Sequence, residues 1–250
     1  IKSNVIYYKR SKMSSQNVVY YISYEDIQNQ DILFNDIYSK LETNYYISDD
    51  FSKDFYIYLA YFGFISTSIT LQDKFYLLPE IQFEYAVLEF KDLHISKKVK
   101  KLLKEDNFHF SINTRFEEVL DKLKNHHKTN WLEKQYEELI LDLQNYKHES
   151  INFQIISVEL CDKRTNKLIA GEIGYKINST YTSLTGFSSK EKIYNNWGKL
   201  QLVLLGLYLE EQNYSFWNLG HPYMQYKFDL GAKTYSREEF LQKWLTQHQV

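Results

Sequence analysis

Ser157, Glu159 and Asn218 are the polar residues whose types and spacing could support chemistry. Ser157 and Glu159 lie two residues apart in a β-branched and aromatic stretch, and side chains two apart on a strand point to the same face. Asn218 ends a predicted neighbouring strand, so the three side chains could share one hydrogen-bonding wall. Glu159 could take up a proton or neutralise a basic group, whereas an asparagine cannot act as a carboxylate base. The alternatives are a solvated strand carboxylate for Glu159 and a strand-end cap for Asn218.

One histidine and several lysines add candidate binding groups. His221 lies beside the proposed wall and could titrate near neutral pH, and the alternative is a structural histidine in the turn before Pro222. Ser96 is typical of a helix N-cap, and the helix it predicts carries Val99, Leu102 and Leu103 on one face. The opposite face carries Lys97, Lys98, Lys100, Lys101 and Lys104. Such a face can contact phosphates and give salt-sensitive affinity for nucleic acid, or it is the solvated face of an ordinary amphipathic helix.

The elements that must position these residues follow from hydrophobic periodicity. Helices are predicted at residues 53–62, 114–125, 131–146 and 199–212, and the last of these is apolar almost all round. Residues 75–90 read as extended. A meander of strands is predicted at 151–160, 168–177 and 180–187, followed by a strand at 214–218 and a last helix after the capping box of Ser236 and Glu239. This order indicates an α+β chain with an N-terminal α/β region at 1–92 and a second domain at 93–250.

Composition excludes several classes of protein. The chain has 250 residues and a net charge of −2, so its overall charge does not indicate nucleic-acid binding. Any contact with nucleic acid must come from a local basic patch. The lone Cys161 cannot form an internal disulfide, which favours a reducing, cytoplasmic compartment. No apolar run reaches the ~18–20 residues that span a bilayer. The pair His126-His127 has no metal-ligand spacing around it, so no metal site is predicted.

Short strings along the chain resemble those of the bacterial leucyl/phenylalanyl-tRNA–protein transferases, in family order and with similar spacing over about residues 45–245. The matching strings are Asp49-Asp50-Phe51-Ser52, Ala60-Tyr61-Phe62-Gly63-Phe64, Leu93-His94-Ile95-Ser96-Lys97, Thr129-Asn130-Trp131-Leu132, Ser157-Val158-Glu159, Leu168-Ile169-Ala170-Gly171, Phe187-Ser188 and Leu230-Gly231-Ala232, with Arg237 following at the family distance. The resemblance implies an acetyltransferase-like fold, in which a mixed sheet is flanked by helices.

The resemblance also implies a reaction. An aminoacyl group, most simply of the leucine or phenylalanine type, moves from aminoacyl-tRNA to the N-terminal α-amine of an acceptor protein, as in N-degron tagging. No cofactor is expected, because the ester is already activated and the enzyme mainly supplies proximity and a path for the amine proton. The lysine helix would contact the tRNA acceptor stem. Trp131 would either line the pocket for the apolar aminoacyl side chain or fasten a helix to the core.

Departures from the family pattern leave other functions open. Leu184 stands at the glutamate of the family's Gly-Glu-Ser, and Asn218 with Gly220 replace the acidic and amide residues of its Ile-Asp-Cys-Gln. A carboxylate from Glu172 or Glu159 in that space would favour an active enzyme. A degenerate transferase acting as a scaffold with protein partners is one alternative. An arginyl-type transferase is another, because the segment from His221 to Lys227 resembles the His-x-x-Pro-x-Met-x-Tyr-Lys segment of the arginyl-tRNA–protein transferases. An acetyl-CoA enzyme is indicated only by the single Gly198 in the turn before the buried helix.

Overall fold

The computed structural model describes residues 6–8, 17–126 and 132–248. Its strands are β1 (Ile6–Tyr8), β2 (Asn17–Tyr21), β3 (Tyr46–Ile47), β4 (Ile65–Leu71), β5 (Lys74–Glu80), β6 (Glu84–Leu88), β7 (Phe108–Ile112), β8 (Phe153–Asp162), β9 (Leu168–Ile177), β10 (Thr180–Ser188), β11 (Phe216–Asn218) and β12 (Lys233–Ser236). Its α-helices are α1 (Tyr24–Gln28), α2 (Lys53–Tyr61), α3 (Lys97–Glu105), α4 (Phe116–His126), α5 (Lys134–Gln144), α6 (Trp197–Glu211), α7 (Gln225–Asp229) and α8 (Arg237–His248). A π-helical segment, Ile32–Tyr38, lies between α1 and β3.

The chain forms two compact units. The sequence predicted a boundary at residue 92, and the two units do not divide there. One unit takes the described residues of 1–83, 131–151 and 236–250, and the other takes those of 84–130 and 152–235. The linear division fails because α5 and α8, which lie in the second half of the sequence, belong to the first unit. Periodicity identifies such helices but carries no information about which sheet they cover.

The second unit is built on a seven-stranded sheet in the order β12-β6-β11-β10-β9-β8-β7. Strands β8, β9 and β10 form an antiparallel meander, and β11 then runs parallel to β10 after the crossover through α6. The order of meander, buried helix and parallel strand is the acetyltransferase-like arrangement expected from the sequence. The α+β class and the mixed sheet with flanking helices are therefore confirmed.

The two faces of this sheet are covered by different helices. Val158 and Leu160 belong to the core cluster that includes the buried side of α6. Glu159, which lies between them on β8, points the other way, toward the segment that leads into α4. Helix α4 packs on β8, β9 and β10. Helix α3 packs on α6 through Val99, Leu102 and Leu103. Because successive side chains of a strand point to opposite faces of the sheet, the position of a polar residue along β8 decides whether it faces α4 or α6.

The first unit holds a buried arginine that organises its loops. The guanidinium of Arg237, at the start of α8, donates to the carbonyls of Lys40, Thr43 and Ile81 at 2.7, 2.9 and 2.8 Å. Arg237 is only 2% exposed, so these bonds replace the water that its charge loses on burial. The stretch predicted as extended at 75–90 is two strands, and β4 and β5 pair through a tight turn in which Gln72 and Asp73 have positive φ.

Candidate functional site

Ser157 and Glu159 lie side by side on β8, as the strand period predicts, on the face toward α4. Glu159 is fully buried, and its Oε1 accepts the hydroxyl proton of Ser157 at 2.5 Å. Its Oε2 accepts from Ser111 Oγ at 2.7 Å and from Thr114 Oγ1 at 3.0 Å. The backbone N–H of Arg115, next to the first residue of α4, also donates to Glu159 at 3.4 Å. This carboxylate ties β8 to the start of α4, and its acceptor positions are occupied by the protein.

Asn218 does not join the other two members of the predicted wall. Its Oδ1 accepts the backbone N–H of Gly220 at 2.9 Å, which makes it a cap at the end of β11. In register, Asn218 lies opposite Thr182 on β10, and the same row crosses β8 at Ile155. Three strand spacings and four residues along the strand separate it from Glu159, a distance of roughly 20 Å.

A second buried carboxylate, Glu172 on β9, faces α6. Glu172 pairs with Val158 across the sheet and is 3% exposed. Its Oε1 accepts from Tyr181 Oη at 3.0 Å and from Ser183 Oγ at 2.8 Å, and its Oε2 accepts from Gln201 Nε2 of α6 at 3.3 Å. Burial raises the pKa of Glu172, and the three donors oppose that rise. A carboxyl group in this environment can exchange a proton nearer to neutral pH than a solvated one.

Two features of the strands bring these donors to Glu172. Gly174 leaves room for the ring of Tyr181, because a Cβ at Gly174 would lie 2.3 Å from the Tyr181 hydroxyl oxygen. A bulge between Ser183 and Thr185 shifts the β9–β10 register. The indole Nε1–H of Trp217 donates to Ser183 Oγ at 2.8 Å. Ser183 therefore accepts from the indole while it donates to Glu172, and one lone pair of its hydroxyl remains for another donor.

The network lies where the sheet opens. Strand β10 pairs with β11 only from Thr180 to Thr182, and then β10 continues to Ser188 while β11 ends at Asn218. Ser183 is the first β10 residue beyond the paired part, and it is half-buried. Leu184, at the family's glutamate position, follows in the bulge, and Glu172 lies across from Gly186 on the adjacent strand. The carboxylate of Glu172 is thus supplied from β9, next to the place where Leu184 provides none.

Lys227 of α7 brings a cation to the same region. Its Nζ donates to the carbonyls of Leu219 and His221 at 2.5 and 2.6 Å. Burial lowers the pKa of Lys227 to about 8, and the charge of Glu172 opposes this effect. Neighbouring Tyr226 has a pKa raised to about 12, by burial first and by Glu172 second. Glu172 and Lys227 thus form a buried pair of opposite charge whose protonation states depend on each other.

The remaining predicted binding residues occupy several places. The ring of His221 stacks on that of Tyr223, with centroids 4.9 Å apart and an interplanar angle of 14°. Trp131 lies outside the described residues. Helix α3 is amphipathic as expected, with Ser96 Oγ accepting from Val99 N at 3.4 Å and Val99 buried. Its lysines Lys97, Lys98, Lys100, Lys101 and Lys104 are all exposed, and Lys101 pairs with Glu105 at 3.7 Å.

The sequence identifies Glu172 only as a conditional substitute for the missing acids. The signal that points to it is an acidic residue inside the apolar stretch 168–175 of β9, followed two residues later by a glycine on the same face. Within residues 6–8, 17–126 and 132–248, no group of three or more His, Cys, Asp and Glu side chains could hold a metal ion. Over the same residues, no helix has the length and apolar character needed to cross a membrane.

Comparisons with known proteins identify one matching family. The family model described as leucyl/phenylalanyl-tRNA protein transferase matches residues 87–245. No curated protein sequence matches the chain. The alternative of an acetyl-CoA site gains no support from the start of α6, where a Cβ at Gly198 would already lie 3.0 Å from the Ser188 side chain.

Solved structures with a similar arrangement are distant. L-PGS from Bacillus licheniformis is 13% identical with a TM-score of 0.39, and the match covers 68% of this chain and 50% of that one. A GCN5-related glucosamine N-acetyltransferase region of a fungal multi-domain β-N-acetylglucosaminidase is 11% identical with a TM-score of 0.45, covering 76% and 23%. A conserved protein of unknown function from Staphylococcus epidermidis is 8% identical with a TM-score of 0.41, covering 78% and 70%. The chain spans half the length of the first of these, and the fold described above rests on its own strand order.

Proposed function

The chain belongs to the leucyl/phenylalanyl-tRNA protein transferase family, and from that premise we propose that it transfers an aminoacyl group from tRNA to an amine, with Glu172 as the proton acceptor. The observation that carries the proposal is the buried, hydrogen-bonded Glu172 at the opening between β10 and β11. It supplies a carboxylate beside Leu184, where the family pattern has one and this chain does not.

The proposed reaction is an aminolysis of an ester. The acceptor's nitrogen attacks the carbonyl carbon of the aminoacyl ester, a C–N bond forms, and the C–O bond to the terminal ribose breaks. The nitrogen loses a proton, and the departing ribose oxygen gains one. An enzyme can accelerate this step by holding the two partners together and by moving that proton.

Ser183 is the proposed link between the amine and Glu172. Glu172 is 3% exposed, so the acceptor nitrogen meets the half-buried Ser183 hydroxyl first. The free lone pair of Ser183 Oγ can accept the amine's N–H while its own proton lies on the bond to Glu172 Oε1, which is 2.8 Å long. A proton can then pass through the hydroxyl to the carboxylate and later return to the ribose oxygen.

Lys227 fits this scheme as a positioning residue. Its positive charge lowers the cost of ionising Glu172, and its bonds to the carbonyls of Leu219 and His221 fix the turn after β11. Glu159 has a different proposed role, because its oxygens already bind five donors that fasten the start of α4. We assign the proton transfer to Glu172 in place of the wall formed by Ser157, Glu159 and Asn218.

The exposed lysines of α3 are the proposed contact with the phosphates of the tRNA acceptor stem. Each phosphate contact releases condensed counterions, so affinity for RNA should fall steeply with salt. The family pattern supports three finer features of the proposed function. The donor carries leucine or phenylalanine, the acceptor is a protein N-terminus as in N-degron tagging, and the location is cytoplasmic. The segment from His221 to Lys227 keeps an arginine-type donor as the competing specificity.

The test is direct transfer of label. The protein is incubated with tRNAs charged with labelled leucine, phenylalanine or arginine and with peptides that begin with Arg, Lys, Asp or Glu. Label on the peptide α-amine from one donor supports the proposal and names donor and acceptor together. Absence of transfer from every charged tRNA, with the protein folded and the tRNA intact, would refute it.

A catalytically inactive scaffold is the second candidate function. The capping bond of Asn218 to Gly220 and the leucine at position 184 favour it, since neither position offers an acid. Stable co-purification with protein partners, together with failure of the transfer assay, would support this second function. Retention of transfer that depends on Glu172 would exclude it.

A further inference from the structure

A short exposed segment next to the Glu172 network is unusually rich in aromatic surface. We call residues 221–226, which follow β11, the aromatic platform. Tyr223 is 77% exposed, Met224 is 57% exposed and Tyr226 is 36% exposed. Large apolar side chains that are exposed together, not singly, are typical of binding surfaces.

The platform is held in place by the protein. The rings of His221 and Tyr223 stack nearly parallel, with 4.9 Å between centroids, which leaves the outer side of the stack to solvent. Lys227 binds the carbonyl of His221, and α7 begins at Gln225. A flat aromatic face that is already ordered loses little conformational entropy when a second flat ring stacks on it.

A cavity joins the platform to the lysine helix. It has a volume of about 170 Å³ and is lined by Tyr226, Lys199, Leu202 and Val203 together with His94 and Ser96, which precede α3. This volume is similar to that of the ~150 Å³ cavities that admit a benzene-sized ring. The carboxylate in its wall, Asp229, is paired with Lys199 at 2.9 Å, so it does not repel an anion as a free carboxylate would. Ser96 and Val99 of this wall lie at the start of α3, the helix that carries the five exposed lysines.

We propose that the aromatic platform stacks an unpaired base of the RNA 3′ end and so directs the terminal ester toward Ser183 and Glu172. The inference rests on the proposed function, which supplies an RNA ester as substrate. Single-stranded RNA ends are recognised by stacking on aromatic side chains beside basic surfaces that bind the backbone. Platform, cavity and lysines occur here in that combination. The RNA 3′ end offers both a base for the platform and a row of phosphates for the five lysines, whereas a peptide acceptor carries no such row of phosphates.

The test compares two uncharged RNA hairpins with the same stem, one with a four-nucleotide unpaired 3′ tail and one with a blunt end. Binding of each is measured by fluorescence anisotropy at one fixed salt concentration. Tyr223→Ala should weaken binding of the tailed hairpin roughly 5- to 150-fold and leave the blunt hairpin unchanged, since stacking contributes ~1–3 kcal/mol per base. Tyr223→Phe should bind like the wild type, because it keeps the ring. Phe34→Ala, at an aromatic residue 41% exposed in the other unit, is the matched control.

Two outcomes would overturn the platform. They are equal binding of the tailed and blunt hairpins by the wild type, and an unchanged affinity of Tyr223→Ala for the tailed hairpin. These results are separable from failure of the proposed function, because the hairpins carry no amino acid. Tail-dependent binding without any label transfer would support base stacking on the platform and refute the transferase function. Label transfer without tail-dependent binding would support the transferase function and refute base stacking on the platform.

Discussion

Glu172→Gln removes the proposed proton acceptor while keeping the size of the side chain. The amide oxygen can still accept from Tyr181 and Ser183, whose donors lie 3.0 and 2.8 Å from Oε1. The amide NH₂ then faces the NH₂ of Gln201, 3.3 Å from the former Oε2, and a rotation of the Gln201 amide restores a donor–acceptor pair. The pKa of Lys227 should fall further below about 8, because Glu172 is the charge that raises it.

The expected loss is kinetic. Removal of a general base typically costs ~10²- to 10⁴-fold in rate, or about 3–5 kcal/mol of transition-state stabilisation. The loss should appear in kcat and kcat/KM alike, because the proton moves only in the transition state. Folding should be little affected, since burial of an ionised Glu172 is itself unfavourable, as its raised pKa shows.

Glu159→Gln is the matched control, because it changes a buried glutamate on the adjacent strand β8 in the same way. Its oxygens bind Ser111, Thr114 and Ser157, and the backbone donor of Thr114 cannot turn to accept a new N–H. We expect a loss of about 1–3 kcal/mol in the free energy of unfolding and a nearly unchanged rate per folded molecule. Label transfer gives the rates, and urea unfolding gives the stabilities. The assignment fails if Glu172→Gln keeps the wild-type kcat, or if Glu159→Gln loses rate without losing stability.

Two further predictions concern stability. Gly174→Ala places a Cβ 2.5 Å from the Thr182 carbonyl oxygen and 2.3 Å from the Tyr181 hydroxyl, so the free energy of unfolding should fall by ~1–3 kcal/mol or more in thermal melting. Gly206→Ala is the control, because its Cβ meets the Leu93 side chain at 3.1 Å, and its stability should change little. Equal losses in the two variants would contradict the crowding argument. Burial lowers the pKa of His248 to about 4, below the usual ~6.5, so the unfolded chain takes up the proton first and stability present above pH 6.5 is lost, by up to about 3 kcal/mol, as the pH falls toward 4. His248→Gln should flatten that part of the pH–stability curve, and a curve of unchanged shape would show that His248 is not the group responsible.

The sequence predicted the sheet of the second unit because its elements follow strong, local patterns. The meander and α6 have long apolar or alternating runs, and the pairing of Ser157 with Glu159 on one face follows from the strand period alone. Periodicity does not say which helix covers which face, however. For that reason Glu159 and Glu172 look alike in the sequence, although one faces the start of α4 and the other faces α6.

The parts that were not predicted depend on pairing between distant segments. Strand β3 has two residues and is formed by its parallel pairing with β2. Helices α5 and α8 are visible as amphipathic patterns, but their membership of the first unit is a tertiary property. The Glu172 network combines β9, β10, α6 and β11, and no local window contains its members. Only the isolated acid in an apolar strand gives a local hint.

Moving the carboxylate back across the strands would test whether the chemistry depends on its location or on the residue that carries it. Leu184 lies in the bulge of β10, on the strand next to that of Glu172. If the reaction requires a carboxylate in this opening, the double variant Glu172→Gln with Leu184→Glu should react at least tenfold faster than Glu172→Gln alone. Leu184→Gln in the same background is the control for size and polarity, and it should recover nothing. Recovery by both variants would mean that Glu172 acts through the geometry of Tyr181 and Ser183 and not as a proton acceptor, because either side chain can refill a space but only a carboxylate can replace a base. Recovery by neither, while the double variant remains folded, would mean that a carboxylate at position 184 cannot take over the role of Glu172.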